Sequence, residues 1–142
     1  MNLPAWADRL LEAPVGHLAT VDGEGSPSVV PICFVVDDDV AWSVVDEKRK
    51  SGRTLKRIHN ISANPAFTLV VDSYDDDWSK LAWVMLHGKA RVVASADFPR
   101  IVELLRAKYP QYRDMAIDNS VLLMMAAESA VSWRAAEPSA PV

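Results

Sequence analysis

The shortness of the early turns constrains this chain more than anything else in it. Three runs rich in β-forming residues, 15–21, 28–36 and 40–45, are separated only by Asp22-Gly23-Glu24-Gly25 with its flanks and by Asp37-Asp38-Asp39. Strands joined so tightly must run antiparallel, because a parallel return needs a crossover of a dozen or more residues. The two glycines are able to take the positive φ that a hairpin turn asks for. Pro31, inside the second run, has no N–H to give a ladder and predicts an edge or a break in pairing there.

The rest of the chain alternates. Residues 3–12 carry Leu3, Ala7, Leu10 and Leu11 at helical spacing, and Pro14 stops them. Leu55, Ile58 and Ile61 share one face of a helix predicted over 54–63, with Thr54 as its cap and Asn64-Pro65 as its end. A fourth strand is expected over 66–72, then an acidic loop over 73–80 holding Trp78. Residues 81–94 suit a long bent strand with Gly88 as a bulge or kink. Asp97 is placed to cap a helix carrying Ile101, Leu104 and Leu105, which ends before Pro110. Residues 121–134 complete a set of six strands. Six antiparallel strands with short helices between them predict a mainly β fold, a closed or partly closed six-stranded barrel without exposed edges.

A chain of 142 residues suits one domain, read here as 1–136, with 137–142 as a disordered tail. A chain this size leaves little for a deep private pocket, so a bulky ligand is easier to hold between subunits. The net charge of -4 argues against nonspecific nucleic-acid binding. A single cysteine, Cys33, allows no intrachain disulfide and fits a reducing compartment. Residues 1–12 lack the basic-then-apolar order of a secretory signal, and no apolar run reaches the roughly 18 residues of a membrane span. The expectation is a soluble cytoplasmic protein.

Chemistry is sparse. There is no glycine-rich phosphate loop, and His17, His59 and His87 lack metal-ligand spacing, so no metal site is expected. Cys33 sits in an apolar run and reads as an inert thiol. The acidic stretch Asp72, Asp75, Asp76, Asp77 lacks the glycine and terminal glutamate of a calcium loop and reads as a solvated turn. The exception is cationic. Lys48, Arg49, Lys50, Arg53, Lys56 and Arg57 crowd ten residues of an acidic protein, where a strand gives way to a helix. Cations beside the free amides of a helix start make an anion site, and a phosphate-bearing cofactor would use it. A solvated charged loop gives the same run. Trp42, Trp78 and Trp83 offer faces for a heteroaromatic ring, though packing is the commoner use of tryptophan.

Four stretches carry a family resemblance: Leu18-Ala19-Thr20-Val21-Asp22-Gly23, Val30-Pro31-Ile32, Arg57-Ile58-His59-Asn60-Ile61-Ser62-Ala63-Asn64-Pro65, and Asp72-Ser73-Tyr74-Asp75-Asp76-Asp77-Trp78. The last is followed by Trp83-Val84 and Gly88-Lys89-Ala90-Arg91-Val92. In this order the chain resembles the pyridoxamine-phosphate-oxidase-like split barrels, and within them the small actinobacterial proteins described as deazaflavin (coenzyme F420) dependent. The resemblance implies a homodimer with the cofactor at the subunit interface. It places the flavin-like ring against Val30, Pro31, Ile32 and Cys33, and against Ser43, Val44 and Val45. It places the phosphate on Lys56 and Arg57, with Lys48 and Lys50 as additional cations, Trp78 in the loop nearby, and Trp83 and Met85 supplied by the partner. Flavin oxidases of this class carry glutamine and arginine where Trp83 and Met85 stand, and their C-terminal substrate signature is not evident, which speaks against pyridoxamine-phosphate oxidation.

The implied function is hydride transfer between coenzyme F420 and an organic substrate. The cofactor carries the chemistry, so no catalytic side chain is named. An FMN-dependent oxidoreductase and a noncatalytic flavin or tetrapyrrole carrier on the same fold are the alternatives.

Overall fold

The structure is a computed structural model that describes residues 1–45 and 55–135. Seven strands form one antiparallel sheet: β1 Gly16–Val21, β2 Pro27–Ile32, β3 Val35–Asp37, β4 Val40–Val45, β5 Ala66–Ser73, β6 Ala82–Ala94 and β7 Val121–Arg134. Their spatial order is β2-β1-β5-β6-β7-β4-β3. Three helices accompany them: α1 Ala5–Leu10, α2 Lys56–Ala63 and α3 Pro99–Lys108.

The expected count of six strands and the closed barrel both need correction, for one reason. The run 28–36 is two strands rather than one, interrupted at Cys33 and Phe34. Phe34 leaves the ladder because side chains from the end of α3 take both its backbone groups. Its N–H donates to Tyr109 Oη at 2.9 Å, and its carbonyl accepts from Lys108 Nζ at 2.8 Å. β2 and β3 then occupy opposite edges of the sheet although two residues join them. Two residues span at most about 10 Å from strand end to strand start, so the sheet must curl until its edges nearly meet. No ladder joins those edges, and the sheet is not closed. Pro31 does lie on an edge strand, where its missing N–H costs no pairing.

The curl encloses one core and leaves a second outside it. Leu18, Phe34, Phe67, Leu69, Val71, Val84, Leu86, Leu123 and Met125 fill the interior, with Ala7 and Leu11 from the α1 end and Ile61 from α2 packed onto them. Ile101, Val102 and Leu105 of α3 cover Val35, Trp42, Val44 and Leu122 on the other side. β4 and the start of β7 are therefore buried on both faces, which is why their sequences are nearly unbroken apolar runs.

Two caps differ from expectation. α3 starts at Pro99 with Phe98 as N-cap, and Asp97 closes a short 3-10 turn instead. Proline's fixed φ suits the first helical position, so the helix begins there. α2 starts at Lys56 with Leu55 as N-cap; Thr54 lies outside the described residues, as does the 137–142 tail. The irregularity expected at Gly88 is there, and the partner strand supplies its extra residue. His87 pairs with Ser129 but Gly88 with Ala127, so the extra residue is Glu128 of β7.

The Tyr109 hydroxyl is the lock on the β2–β3 break. It accepts from Phe34 N–H, and its proton lies between the carbonyls of Pro14, 2.7 Å, and Phe34, 3.0 Å. Tyr109→Phe is expected to cost about 1–3 kcal/mol in urea unfolding, the range for orphaning buried polar groups. Burial holds this phenol up at about 12, despite the hydrogen bond to Phe34. In the unfolded chain it ionises near 10, so between pH 10 and 12 the native state binds more protons and its stability falls as pH rises. Across that window the gap between wild type and Tyr109→Phe should narrow.

Candidate functional site

Alternation along each strand decides what the implied site residues can touch. On β2, Pro31 faces outward and is exposed, whereas Ile32 is buried in the inner core and Val30 packs against it. Register carries the outward row across the sheet: Pro31 opposite His17, His17 opposite Val70, Val70 opposite Met85, Met85 opposite Val131. A second row follows, Asp72 opposite Trp83 and Trp83 opposite Trp133. Val29, Val131 and Trp133 are exposed at 63%, 49% and 42%. This is a large apolar surface on the convex side of the sheet. Pro31 and Met85 lie three strands apart in the same row, about 14 Å at ordinary strand spacing.

The remaining candidates lie elsewhere. Ser43, Val44 and Val45 of β4 are buried; Val44 belongs to the cluster under α3, and the Val45 carbonyl accepts from Ser120 Oγ. Cys33 is half-buried in the β2–β3 break and packs against that same outer cluster. Trp78 opens a short 3-10 helix in the β5–β6 loop, with 68% of its surface exposed. Lys48 and Lys50 lie outside the described residues.

Lys56 and Arg57 occupy the first turn of α2. The helix reaches the core through Ile58 and Ile61, so it packs on the concave side. Inside that contact Asn60, fully buried, donates from Nδ2 to Thr20 Oγ1 at 3.0 Å and fixes α2 against β1. The N-cap Leu55 has no polar side chain, and no acidic residue stands in the first turn. The helix start is thus cationic and uncapped by its own N-cap residue, a donor set that fits a phosphate. Lys56 Nζ is exposed and 4.0 Å from Asp22 Oδ2. The Asp22 carboxyl is held below its usual range chiefly by the backbone N–H of Ser26, then that of Glu24, with a smaller pull from Lys56.

The described residues of one chain therefore do not gather the implied site in one place. The basic pair lies on the concave side, and Trp83 and Met85 face away on the convex side. Among the described residues no three His, Cys, Asp or Glu side chains come together as a metal site, and no helix is long and apolar enough to cross a membrane.

The sequence matches the model of the pyridoxamine 5'-phosphate oxidase family over residues 3–134. The chain belongs to that family. Solved structures agree with the family's fold. A conserved hypothetical protein of Mycobacterium tuberculosis superposes with a TM-score of 0.75 at 19% identity, over 100% of this chain and 92% of its own. A protein described as an F420 reductase gives 0.65 at 24%, over 91% of this chain and 98% of its own. HutZ, described as the heme storage protein of Vibrio cholerae, gives 0.68 at 13%, over 92% and 94%. At these identities the likeness is one of fold, and that fold hosts both a reductase and a storage protein. No curated protein matches the sequence.

Sequence reasoning missed Lys108 altogether. It is a half-buried lysine at the end of α3, lining a cleft with residues of α1 and β3. Nothing in its local sequence separates it from an ordinary basic residue in a last helical turn.

Proposed function

We propose that this member of the pyridoxamine 5'-phosphate oxidase family is a homodimeric, cytoplasmic oxidoreductase that moves a hydride between coenzyme F420 and an organic acceptor. The observation that carries the reading is the start of α2, where Lys56 and Arg57 stand in a first turn that holds no acid and that receives no side-chain hydrogen bond from its N-cap Leu55. Anionic groups of the coenzyme would bind there, and the coenzyme when bound supplies the hydride chemistry. Lys48 and Lys50 would add charge for its acidic tail. Trp83 and Met85, on the convex face, would reach this site from a second copy. That copy would cover the exposed Val29, Val131 and Trp133. Covering that surface with the second copy removes apolar area from water and leaves the acceptor a dry pocket. The loss of polar residues at Trp83 and Met85 favours the deazaflavin over FMN.

Light scattering at micromolar concentration should give a dimer; a monomer would dismiss the shared site. The apoprotein should bind F420 more tightly than FMN in a fluorescence titration. Preference for FMN would transfer the assignment to the flavin. Tight binding with no hydride transfer to any of a panel of enones, quinones and imines would favour a carrier.

A further inference from the structure

A cleft of about 500 Å³ opens between α1, β3 and α3, and the described residues that line it include none of α2 and none of the outward rows that hold Pro31, Met85 and Trp83. Its walls are apolar: Leu11, Val35, Val36, Leu104 and Ala107. Asp8 and Glu12 are exposed at its edge, and Lys108 is the one cation among the described residues that line it. The Lys108 amine is fixed in position. Nζ donates to the Phe34 carbonyl at 2.8 Å and lies 4.1 Å from the centre of the Phe34 ring and 5.4 Å from that of Tyr109.

A carbonyl and two ring faces favour the ammonium form. Burial nonetheless prevails and pushes the amine down to about 8, against the opposing pull of Cys33 and Glu12. An ordinary lysine near 10.4 is uncharged in only a few molecules per thousand at pH 8. Here roughly half the molecules would hold a neutral amine at that pH. A neutral amine can keep one N–H on Phe34 and still offer its lone pair to an electrophile. The acidic edge repels anions, and the walls reward apolar bodies.

We propose that this cleft captures a small, uncharged, apolar aldehyde or ketone through condensation with Lys108. The Nζ lone pair attacks the carbonyl carbon, forming the C–N bond. The resulting carbinolamine loses its oxygen as water, with both amine protons accounted for in that water, and leaves a neutral imine. The step is a dehydration and needs no oxidant or reductant.

The test traps the imine in the intact protein with hexanal and sodium cyanoborohydride, which reduces it to a stable secondary amine, followed by peptide mapping. Lys108 should be alkylated at least tenfold faster than the exposed Lys56, Lys80 and Lys89. Glyoxylate, an aldehyde that carries a carboxylate, should label Lys108 more slowly than hexanal while treating the surface lysines alike. Ala107→Trp fills the cleft from an exposed helix position and keeps the amine. It should slow the labelling of Lys108 tenfold or more, with circular dichroism confirming the fold. Even labelling across the lysines overturns the proposal, as does equal reactivity of Lys108 towards the two aldehydes. An unchanged Lys108 rate in folded Ala107→Trp does so too. The two-aldehyde comparison stands without the variant.

Discussion

Gly88→Ala should destabilise the protein by about 3 kcal/mol or more, a large share of the roughly 5–15 kcal/mol that holds a domain folded. A Cβ at Gly88 would lie 1.9 Å from the Ala126 carbonyl oxygen, 2.9 Å from that carbonyl carbon and 3.0 Å from the Glu128 nitrogen. All three are backbone atoms of β7, so no rotamer change relieves the clash. β6 and β7 would have to separate at the bulge, and the ladder bonds on either side would lengthen or break. Gly23→Ala is the control. A Cβ there meets only the Ala63 methyl at 3.8 Å, and the glycine does not need positive φ. That change should be neutral or stabilise by up to about 1 kcal/mol, through the entropy of the unfolded chain. Urea unfolding of the two variants side by side gives the comparison. Equal midpoints would mean that β7 yields at Glu128 without cost.

Arg57→Ala should weaken F420 binding by roughly ten- to a hundredfold, the consequence of losing about 1.5–3 kcal/mol of charge-assisted hydrogen bonding. Lys56→Ala should cost less. Its ammonium is exposed and has only a long contact with Asp22, so its contribution is screened and should shrink as salt rises. Removing Lys56 should scarcely move the melting temperature of the apoprotein, since an exposed pair at this distance adds little to stability. Titrations of both variants at low and high salt, with melting curves, separate the two cations. Unchanged affinity in Arg57→Ala would take α2 out of the site and leave the cofactor without its carrying observation.

The strand-and-turn order could be read from sequence because it is local. Asp22-Gly23-Glu24-Gly25 and Asp37-Asp38-Asp39 turn the chain where expected, and Gly25, Asp38 and Asp39 adopt the positive φ that such turns use. What could not be read depends on distant partners. The interruption at Phe34 needs a hydroxyl 75 positions away, on Tyr109. Nothing between Ser28 and Val36 announces it, and Pro31, the obvious suspect, pairs in register with His17. The outward rows had a similar obstacle. Before Glu128, odd-numbered residues such as Leu123 and Met125 face the inner core; after it, Ala130 does, and Val131 and Trp133 face out. A plain count of alternation would have put those two side chains inside. The implied ring-lining set also mixed faces. Neighbours in sequence, such as Val30, Pro31 and Ile32, cannot all meet one surface when they lie on a strand.

The pairing of β4 with β7 has a consequence for how the protein is made. Val40 is opposite Ala126 and Val45 is opposite Val121, so partners are separated by more than half of the chain. As the polypeptide leaves the ribosome, β1 and β2 can form a hairpin at once, while β4 has only the three-residue β3 to lean on. The groove that β7 fills stays open until the last of the seven strands has emerged. Contacts of such long sequence separation slow folding and leave apolar strands uncovered meanwhile. Chains stalled before residue 121 should therefore be the ones that engage chaperones, and the edge proline of β2 is on the wrong side of the sheet to protect them.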